Sequence, residues 1–283
     1  MTEPPRLTDP AALARHRARA RAMMADGETP FLFERAIDDV QERLAEVNRT
    51  FTRPVVIGPF ADLWRRALPA AHCVEAGETL PLAAGGHDLA IHALALHWAD
   101  DPVGQLVQSR LALVPDGLFI AVTFGGRTLA GLRAALAEAE TGITGGLSPR
   151  VAPMGEIRDL GALLQRAGFA LPVADSDVVE VSYPSLGALA RDLRLMGETN
   201  ALAHRHRRPA PRRLFARAGE IMRAGRADGR IIAEFEIITL TGWAPAGEQP
   251  KPLRPGSAAA RLAEALGSEE QPLPERAQPD RGD

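Results

Sequence analysis

The chain has 283 residues, 46% of them hydrophobic, a formal net charge of −3 and one cysteine, Cys73. This composition supplies the core of a globular domain. The small negative charge argues against nucleic-acid binding driven by overall charge, and a single cysteine excludes an internal disulfide. The sequence has no apolar run of the roughly 20 residues that a membrane span needs and no apolar signal region, so we expect a cytoplasmic protein.

Two helices are predicted before the first strand. Residues 11–25 are strong helix formers, but an arginine occupies every second position from Arg15 to Arg21, so no apolar stripe forms. We expect a solvated face there, with contact to an acidic partner or nucleic acid as the alternative. In residues 31–47, apolar side chains recur every three or four positions. We assign residues 1–50 to these N-terminal helices.

A short apolar strand at residues 53–58 precedes a loop and a helix over residues 62–68. A strand, a glycine turn and a helix is the geometry of nucleotide-type cofactor sites, because glycine lets the backbone approach the ligand. This loop has one glycine, Gly58; Pro59 lacks a backbone donor, and Phe60 places a large ring where a cofactor would pass. We predict that the Phe60 ring folds inward and fills the cavity.

The stretch 87–126 predicts a strand, a crossover helix and a parallel strand. Its two apolar runs, 88–96 and 118–124, are joined by an amphipathic segment that ends in Pro-Asp-Gly at 115–117. Ligands of open α/β sheets bind at the carboxyl ends of the strands. His97 closes the first run and is our candidate catalytic base or hydrogen-bond donor; the alternative is a histidine bonded to a loop carbonyl.

Helices and strands continue to alternate up to residue 243. From Ala244 the chain is rich in proline and has no sustained period, so we predict a disordered tail at 244–283 and an α/β domain at 51–243. The basic run 204–213 predicts a solvated loop, with binding of RNA or an acidic partner as the alternative. The remaining elements are a strand at 73–75, helices at 128–141, 156–167, 184–196 and 214–224, a strand beginning at Phe169, and strands at 178–183 and 231–243.

Several strings resemble a known protein family. HDLAIHALALHWADDP at 87–102 and LVPDGLFIAVTFGGRTL at 113–129 resemble class I S-adenosylmethionine-dependent methyltransferases. They are similar to the malonyl-carrier-protein methyltransferases of biotin synthesis and, more closely, to the mitochondrial complex I assembly arginine-hydroxylase family. The strings at 145–153, 159–169 and 183–200 also resemble this second family.

The resemblance runs from residue 11 to residue 243 and implies a Rossmann-like methyltransferase fold. This fold is α/β, with a mostly parallel sheet and an antiparallel last strand. The resemblance also implies S-adenosylmethionine as the cofactor and a subunit of respiratory complex I as a protein partner. We expect neither a membrane span nor a nucleic-acid partner.

The departures from the family fall on the cofactor site. The first strand of the family ends in an acidic residue and a triple-glycine turn, whereas this chain has IGPFA at 57–61, in which only Gly58 is kept. The span from this loop to Leu80 is too short for two strands and a helix. We therefore predict six strands instead of seven, with residues 55–57 adjacent to residues 90–93. We expect impaired or lost cofactor binding; the alternative is an active enzyme with a remodelled loop.

The resemblance assigns two groups of site residues. Gly58, Glu75 and His92 are the candidates for the cofactor site. If the loop distance sets the register, Glu75 ends the second strand and accepts ribose hydroxyls; if the Leu80 string sets it, Ala76 replaces the adenine-binding aspartate of the family. No metal site is predicted, because the histidine spacings do not suit metal ligation. The substrate or partner side comprises Phe124, Gly125, Gly126, Ser148, Glu198 and Asn200, with loop architecture as their alternative role.

Overall fold

A six-stranded sheet forms the centre of the computed structural model, which describes residues 6–247 and 249. The strand order is β2-β1-β3-β4-β6-β5. Strands β1 to β4 are parallel, and β6 is antiparallel to both β4 and β5. The predicted Rossmann-like methyltransferase fold with an antiparallel last strand is therefore confirmed. The strands are Pro54–Ile57 (β1), His72–Val74 (β2), His87–Ala93 (β3), Leu113–Phe124 (β4), Ala170–Tyr183 (β5) and Ile231–Trp243 (β6).

The predicted loss of one strand is confirmed for the described part of the chain. Val55 and Ile57 of β1 pair with Ala90 and His92 of β3, so these two strands are direct neighbours. After β1, a single short helix leads into β2, and the segment between Leu68 and β2 contains no further helix. Glu75 directly follows β2. This position is close to the register in which Glu75 ends the second strand, although β2 itself ends one residue earlier, at Val74.

Helices cover both faces of the sheet. Alternate strand residues point to opposite faces, so Val55 and Ile57 join one apolar cluster and Val56 joins the other. α4 and α6 cover the first cluster, and α2, α3, α5, α7 and α8 contribute to the second. The helices are Pro10–Ala25 (α1), Phe31–Glu46 (α2), Ala61–Ala67 (α3), Pro102–Ala112 (α4), Ala130–Thr144 (α5), Ile157–Arg166 (α6), Leu186–Leu195 (α7) and Arg212–Arg223 (α8).

Three predicted boundaries around the long strands are wrong. β3 ends at Ala93, because Leu94 takes a positive φ of 45° and a 3₁₀ turn follows at Leu96–Trp98. β4 already begins at Leu113, so the predicted Pro-Asp-Gly stop lies inside the strand, where Asp116 takes a φ of 60°. The two strands predicted between residues 169 and 183 form the single strand β5.

These elements belong to one compact unit that ends at Ala246. No helix in the described residues is long and apolar enough to cross a membrane. The predicted disordered tail lies outside the described residues at 248 and from 250 onward.

Candidate functional site

The carboxyl ends of β1 and β3 form the switch point of the sheet. The chain moves outward from β1 to β2 and then crosses back to β3, and ligands of open α/β sheets bind in the crevice at such a point. Here the two strand ends touch, because a Cβ atom on Gly58 would overlap the carbonyl oxygen of Ala93. Gly58, predicted to bind the cofactor, therefore allows close packing of two backbone segments.

The Phe60 ring points into the protein, as predicted. Its side chain belongs to the core, with 4% of the residue exposed, and it packs edge-on against Phe33 with ring centroids 4.9 Å apart. The backbone of Phe60 is left-handed, with φ 62° and ψ 49°. This conformation costs a residue with a Cβ atom about 1 to 2 kcal/mol. The burial of the ring stabilises the strained loop.

Arg17 on α1 lies on the same side of the crevice. Its side chain is only 7% exposed, and its Nη1 atom lies 3.8 Å from Oε2 of Glu75. Burial lowers the pKa of Arg17, while the negative charges of Glu198 and Glu75 oppose this decrease. The predicted solvated arginine face is therefore wrong for Arg17. Helical spacing on α1 does not reveal two carboxylates that come from distant parts of the chain.

Phe60 and Arg17 meet at Gly197, two residues after the end of α7. A Cβ atom on Gly197 would lie 3.3 Å from Cγ of Arg17 and 3.4 Å from Cζ of Phe60. Gly197 also has a φ of 74°, which a residue with a side chain adopts only with strain. Three segments of the chain thus pack together in front of the switch point.

The carboxylate of Glu75 is held by guanidinium groups. Arg17 and Arg21 both form ion pairs with it, so the group expected to accept ribose hydroxyls already has two cationic partners from α1. The guanidinium of Arg21 also lies over the Phe60 ring, 5.9 Å from its centroid. α1 therefore links the end of β2 to the loop after β1.

His92, the third candidate for the cofactor site, is completely buried. Its Nε2 atom lies 2.7 Å from Oε1 of Gln105, whose amide nitrogen donates to the carbonyl oxygen of Gly77. The amide oxygen only accepts, so Nε2 of His92 carries the proton. Burial lowers the pKa of His92 to about 4. The imidazole is therefore neutral near pH 7, and Gln105 fixes its orientation.

His97, the candidate catalytic residue, lies in the 3₁₀ turn beyond β3 and contacts Glu198. Nε2 of His97 and Nε1 of Trp98 lie 3.0 Å and 2.7 Å from Oε2 of Glu198. Because a carboxylate only accepts, both nitrogen atoms donate to it, and Nδ1 of His97 lies 3.4 Å from the Thr123 hydroxyl. The His97 side chain is 1% exposed. The buried His97 side chain therefore holds the Glu198 carboxylate in place through this hydrogen bond.

An apolar cavity of about 240 Å³ opens next to Glu198. Residues of α5 and α7, including Leu132 and Leu189, form much of its wall. Three of the residues predicted on the substrate side line it, namely Phe124, Glu198 and Asn200. Its wall does not include Gly58, Phe60, Glu75 or His92.

The other three residues predicted on the substrate side do not line the cavity, which fits the alternative of loop architecture. A Cβ atom on Gly125 would collide with the Glu236 carboxylate, and one on Gly126 would collide with Glu156. The amide and hydroxyl groups of Ser148 both donate to Glu140. These residues shape the loops around the cavity.

Sequence reasoning missed the ion pair that holds the loop at the cavity. Arg150 lines the cavity and binds Glu140 of α5 with two hydrogen bonds of 2.9 Å and 2.5 Å. The hydrogen bond from Arg150 is the main reason why the pKa of Glu140 is lowered to about 2. A bidentate pair of this kind fixes both charged groups in place.

Comparison with known proteins gives several similar sequences, although no family model matches the chain. The mitochondrial arginine-hydroxylase NDUFAF5 of Danio rerio is 38% identical over 196 residues, which cover 69% of this chain and 61% of that protein. The NDUFAF5 protein of Homo sapiens is 37% identical over 203 residues, or 70% of this chain and 57% of that protein. The malonyl-[acyl-carrier protein] O-methyltransferase of Laribacter hongkongensis is 36% identical over 199 residues, or 70% and 64%.

The alignments thus span less than two thirds of the length of each of these relatives. The strand order of the sheet and its antiparallel last strand are those of the methyltransferase fold that the sequence predicts. By sequence similarity and fold together, the chain is a member of the class I methyltransferase superfamily.

Proposed function

We propose that this protein is a methyltransferase-fold protein in which S-adenosylmethionine binding is impaired or lost, and that it acts through a protein partner. The observation that carries this proposal is the packing of Phe60 and Arg17 in front of the switch point. The residues present do not fit the cofactor, because its methionine and ribose parts need the space that these two side chains fill.

The physical cost of admitting the cofactor has two parts. Moving the Phe60 ring out of the core loses about 1.5 to 3 kcal/mol of burial. S-adenosylmethionine carries a sulfonium, an ammonium and a carboxylate group, so its net charge is positive, and the buried Arg17 guanidinium repels a net positive ligand at this place. Since each 1.4 kcal/mol is about a tenfold change in affinity, the lost burial of the ring alone weakens binding by roughly one to two orders of magnitude, and the repulsion weakens it further.

The partner part of the proposal is supported by the cavity on the substrate side. This cavity keeps its apolar wall and its polar residues Glu198 and Asn200, while the crevice beside it is filled. The relatives named arginine-hydroxylase NDUFAF5 share more than a third of the aligned residues. By this resemblance, the partner is a subunit of respiratory complex I or its counterpart.

Glu198 favours a second candidate function. A carboxylate at the wall of an apolar cavity, fixed by His97 and Trp98, is suited to hold the guanidinium group of a protein arginine. The alternative is therefore an enzyme, either a methyltransferase or an arginine-modifying protein, that binds S-adenosylmethionine through a remodelled loop. This alternative requires Phe60 and Arg17 to move.

Isothermal titration calorimetry with S-adenosylmethionine separates the two functions. We expect no binding heat at millimolar ligand for the unaltered protein, and none for Phe60→Gly, since Pro59 and Arg17 remain. A superfamily member that binds the cofactor serves as the control for the ligand stock. Micromolar affinity for the unaltered protein contradicts the first proposal and supports the enzyme.

The double variant Phe60→Gly with Arg17→Met identifies what blocks the site. Binding that appears only in this variant assigns the block to the two side chains. Absence of binding in all variants assigns it to the loop backbone and the missing strand.

A further inference from the structure

A second cleft continues from the apolar cavity along α7 and α8. Cavity and cleft share Leu186, Ala190, Arg194 and Phe215 in their walls, so they form one continuous surface. We call this surface the α7/α8 groove and define it by Leu186, Ala190, Arg194, Phe215, Gly219 and Arg223.

Phe215 is an exposed aromatic side chain at the point where cavity and cleft join. It is 44% exposed, whereas its neighbours Leu214 and Ala218 on α8 are buried in the core. Gly219 and Ala190 are small and leave the cleft open beside the ring. Aromatic side chains next to an open apolar pocket are typical anchors of protein interfaces.

The charges at the groove are mainly positive. Arg194 and Arg223 line it, and no carboxylate of the described residues forms an ion pair with either side chain. The acidic residue of the cleft, Glu220, is bound by Arg217 at 3.1 Å. Inside the cavity, Glu198 already accepts two hydrogen bonds. The groove therefore offers two arginines around an apolar opening.

The basic run at residues 204–213 has a different role. Arg205 binds the carboxylate of Asp9 at 2.9 Å, and Arg207 lies 3.7 Å from the same group. Asp9 is the N-cap of α1, because its side chain accepts from the amide of Ala12. Part of this run thus fastens α1 to the body of the protein, and the positive charge of the groove comes from α7 and α8 instead.

We infer that the α7/α8 groove binds an acidic segment of a partner protein that carries a bulky apolar side chain. The apolar side chain enters the cavity, Phe215 packs against the segment, and its carboxylates pair with Arg194 and Arg223. The apolar opening favours a peptide over a nucleic acid, whose phosphates gain nothing from an apolar wall. The inference rests on the partner half of the proposed function and is independent of cofactor binding.

Selection from a phage-displayed library of random peptides tests this inference. The immobilised full chain is the target, and the selected peptides are then synthesised with a fluorescent label. We expect enrichment of peptides that combine several Asp or Glu residues with one or two bulky apolar residues. Their affinity, measured by fluorescence anisotropy, decreases as salt is raised, because exposed charge pairs are screened.

Variants of the groove show where the peptide binds. The double variant Arg194→Glu with Arg223→Glu weakens binding by about tenfold or more, and Phe215→Ser weakens it as well. The matched control Arg158→Glu with Arg166→Glu reverses two exposed arginines of α6, which covers the opposite face of the sheet, and leaves binding unchanged. Thermal melts of all variants show that they are folded.

Three results overturn the inference: a consensus without acidic residues, binding that is unchanged in the groove variants, or free dodecanoate binding in the cavity while no peptide is enriched. The calorimetric titration keeps the two halves of the proposed function apart. Micromolar cofactor affinity together with an acidic consensus refutes only the proposed loss of cofactor binding and leaves the groove supported. If no peptide is enriched and no cofactor binds, only the proposed role of the groove is refuted.

Discussion

The two halves of the sheet's carboxyl edge differ in how their space is used. At the end of β1, the crevice is filled by Phe60 and Arg17, which meet at Gly197. At the end of β4, a cavity of about 240 Å³ remains open between helices. Both regions lie at the edge where an α/β sheet places its ligands. The same fold therefore keeps one potential site and fills the other.

The difference has a physical reason in the walls of each region. The crevice is bordered by a short loop and by α1, so one ring and one long side chain can enter it and bury apolar surface there. The cavity is bordered by α5 and α7, whose own side chains pack on the sheet and keep the helices apart. In this protein, the site beside the loop is therefore filled, whereas the site between packed helices stays open.

The largest effect is expected for removal of the Phe60 ring. Phe60→Ala lowers the free energy of unfolding by about 3 to 5 kcal/mol, because it leaves a cavity in the core. Phe60→Gly leaves the same cavity but relieves the left-handed backbone strain, so its loss is smaller by about 1 kcal/mol. Urea unfolding of both variants measures the two terms. Equal losses of stability for the two variants contradict backbone strain at Phe60. Losses below about 1 kcal/mol for both contradict the packing of its ring in the core.

A smaller effect is expected for the ion pair at the cavity. The pKa of Glu140 falls from 4.5 to about 2 in the folded protein. At 1.36 kcal/mol per pKa unit, this contributes up to about 3 kcal/mol of stability. Because the folded-state pKa is the lower one, the contribution is present above pH 4.5 and is lost as the pH falls from 4.5 to about 2.

Arg150→Met tests this pair by unfolding at several pH values. We expect the variant to be less stable than the parent at pH 7, and the difference to shrink as the pH falls through the acidic range. Arg127→Met is the matched control, since Arg127 pairs with Glu234 at 3.5 Å on the surface. Exposed pairs contribute about 0 to 1 kcal/mol, so this control changes little. A constant difference at all pH values contradicts the role of Glu140.

The smallest effect separates packing from backbone strain at the filled crevice. Gly197 and Gly225 have φ values of 74° and 78°, but only Gly197 has neighbouring atoms at the position of a Cβ. Gly225→Ala therefore costs about 1 kcal/mol for strain alone, and Gly197→Ala costs about 1 kcal/mol more. Thermal unfolding measures this difference. In a Phe60→Gly background this additional cost decreases, because the ring no longer lies beside the new Cβ atom. An additional cost that stays the same in that background contradicts close packing.

The sequence predicted the strands and helices better than their boundaries. β5 illustrates the limit, because the Ala-Asp-Ser-Asp segment at 174–177 resembles a break between two strands. In the fold, Asp175 and Asp177 are paired with Arg43 and Arg35 of α2, and the strand continues along β6. The stabilising partners come from another part of the chain, and local patterns do not contain them.

The same limit applies to the candidate site. The inward Phe60 ring was predictable, because a large apolar side chain in a loop that normally carries glycines has few other places to go. Arg17 was not predictable, because its spacing on α1 equals that of its exposed neighbours Arg15 and Arg19. Its burial depends on Glu75 and Glu198, which the sheet and α7 bring to the same place.

The missing strand also changes the edge of the sheet. Its absence makes β2 an outer strand, and β2 has only three residues, so it presents few unpaired backbone groups to a neighbouring molecule. The opposite outer strand, β5, is long, but it carries Asp175, Asp177 and Glu180. Short length at one edge and charge at the other both disfavour edge-to-edge aggregation. The shortened span therefore leaves only a three-residue strand exposed at its own edge of the sheet, to which a foreign strand has little to bind.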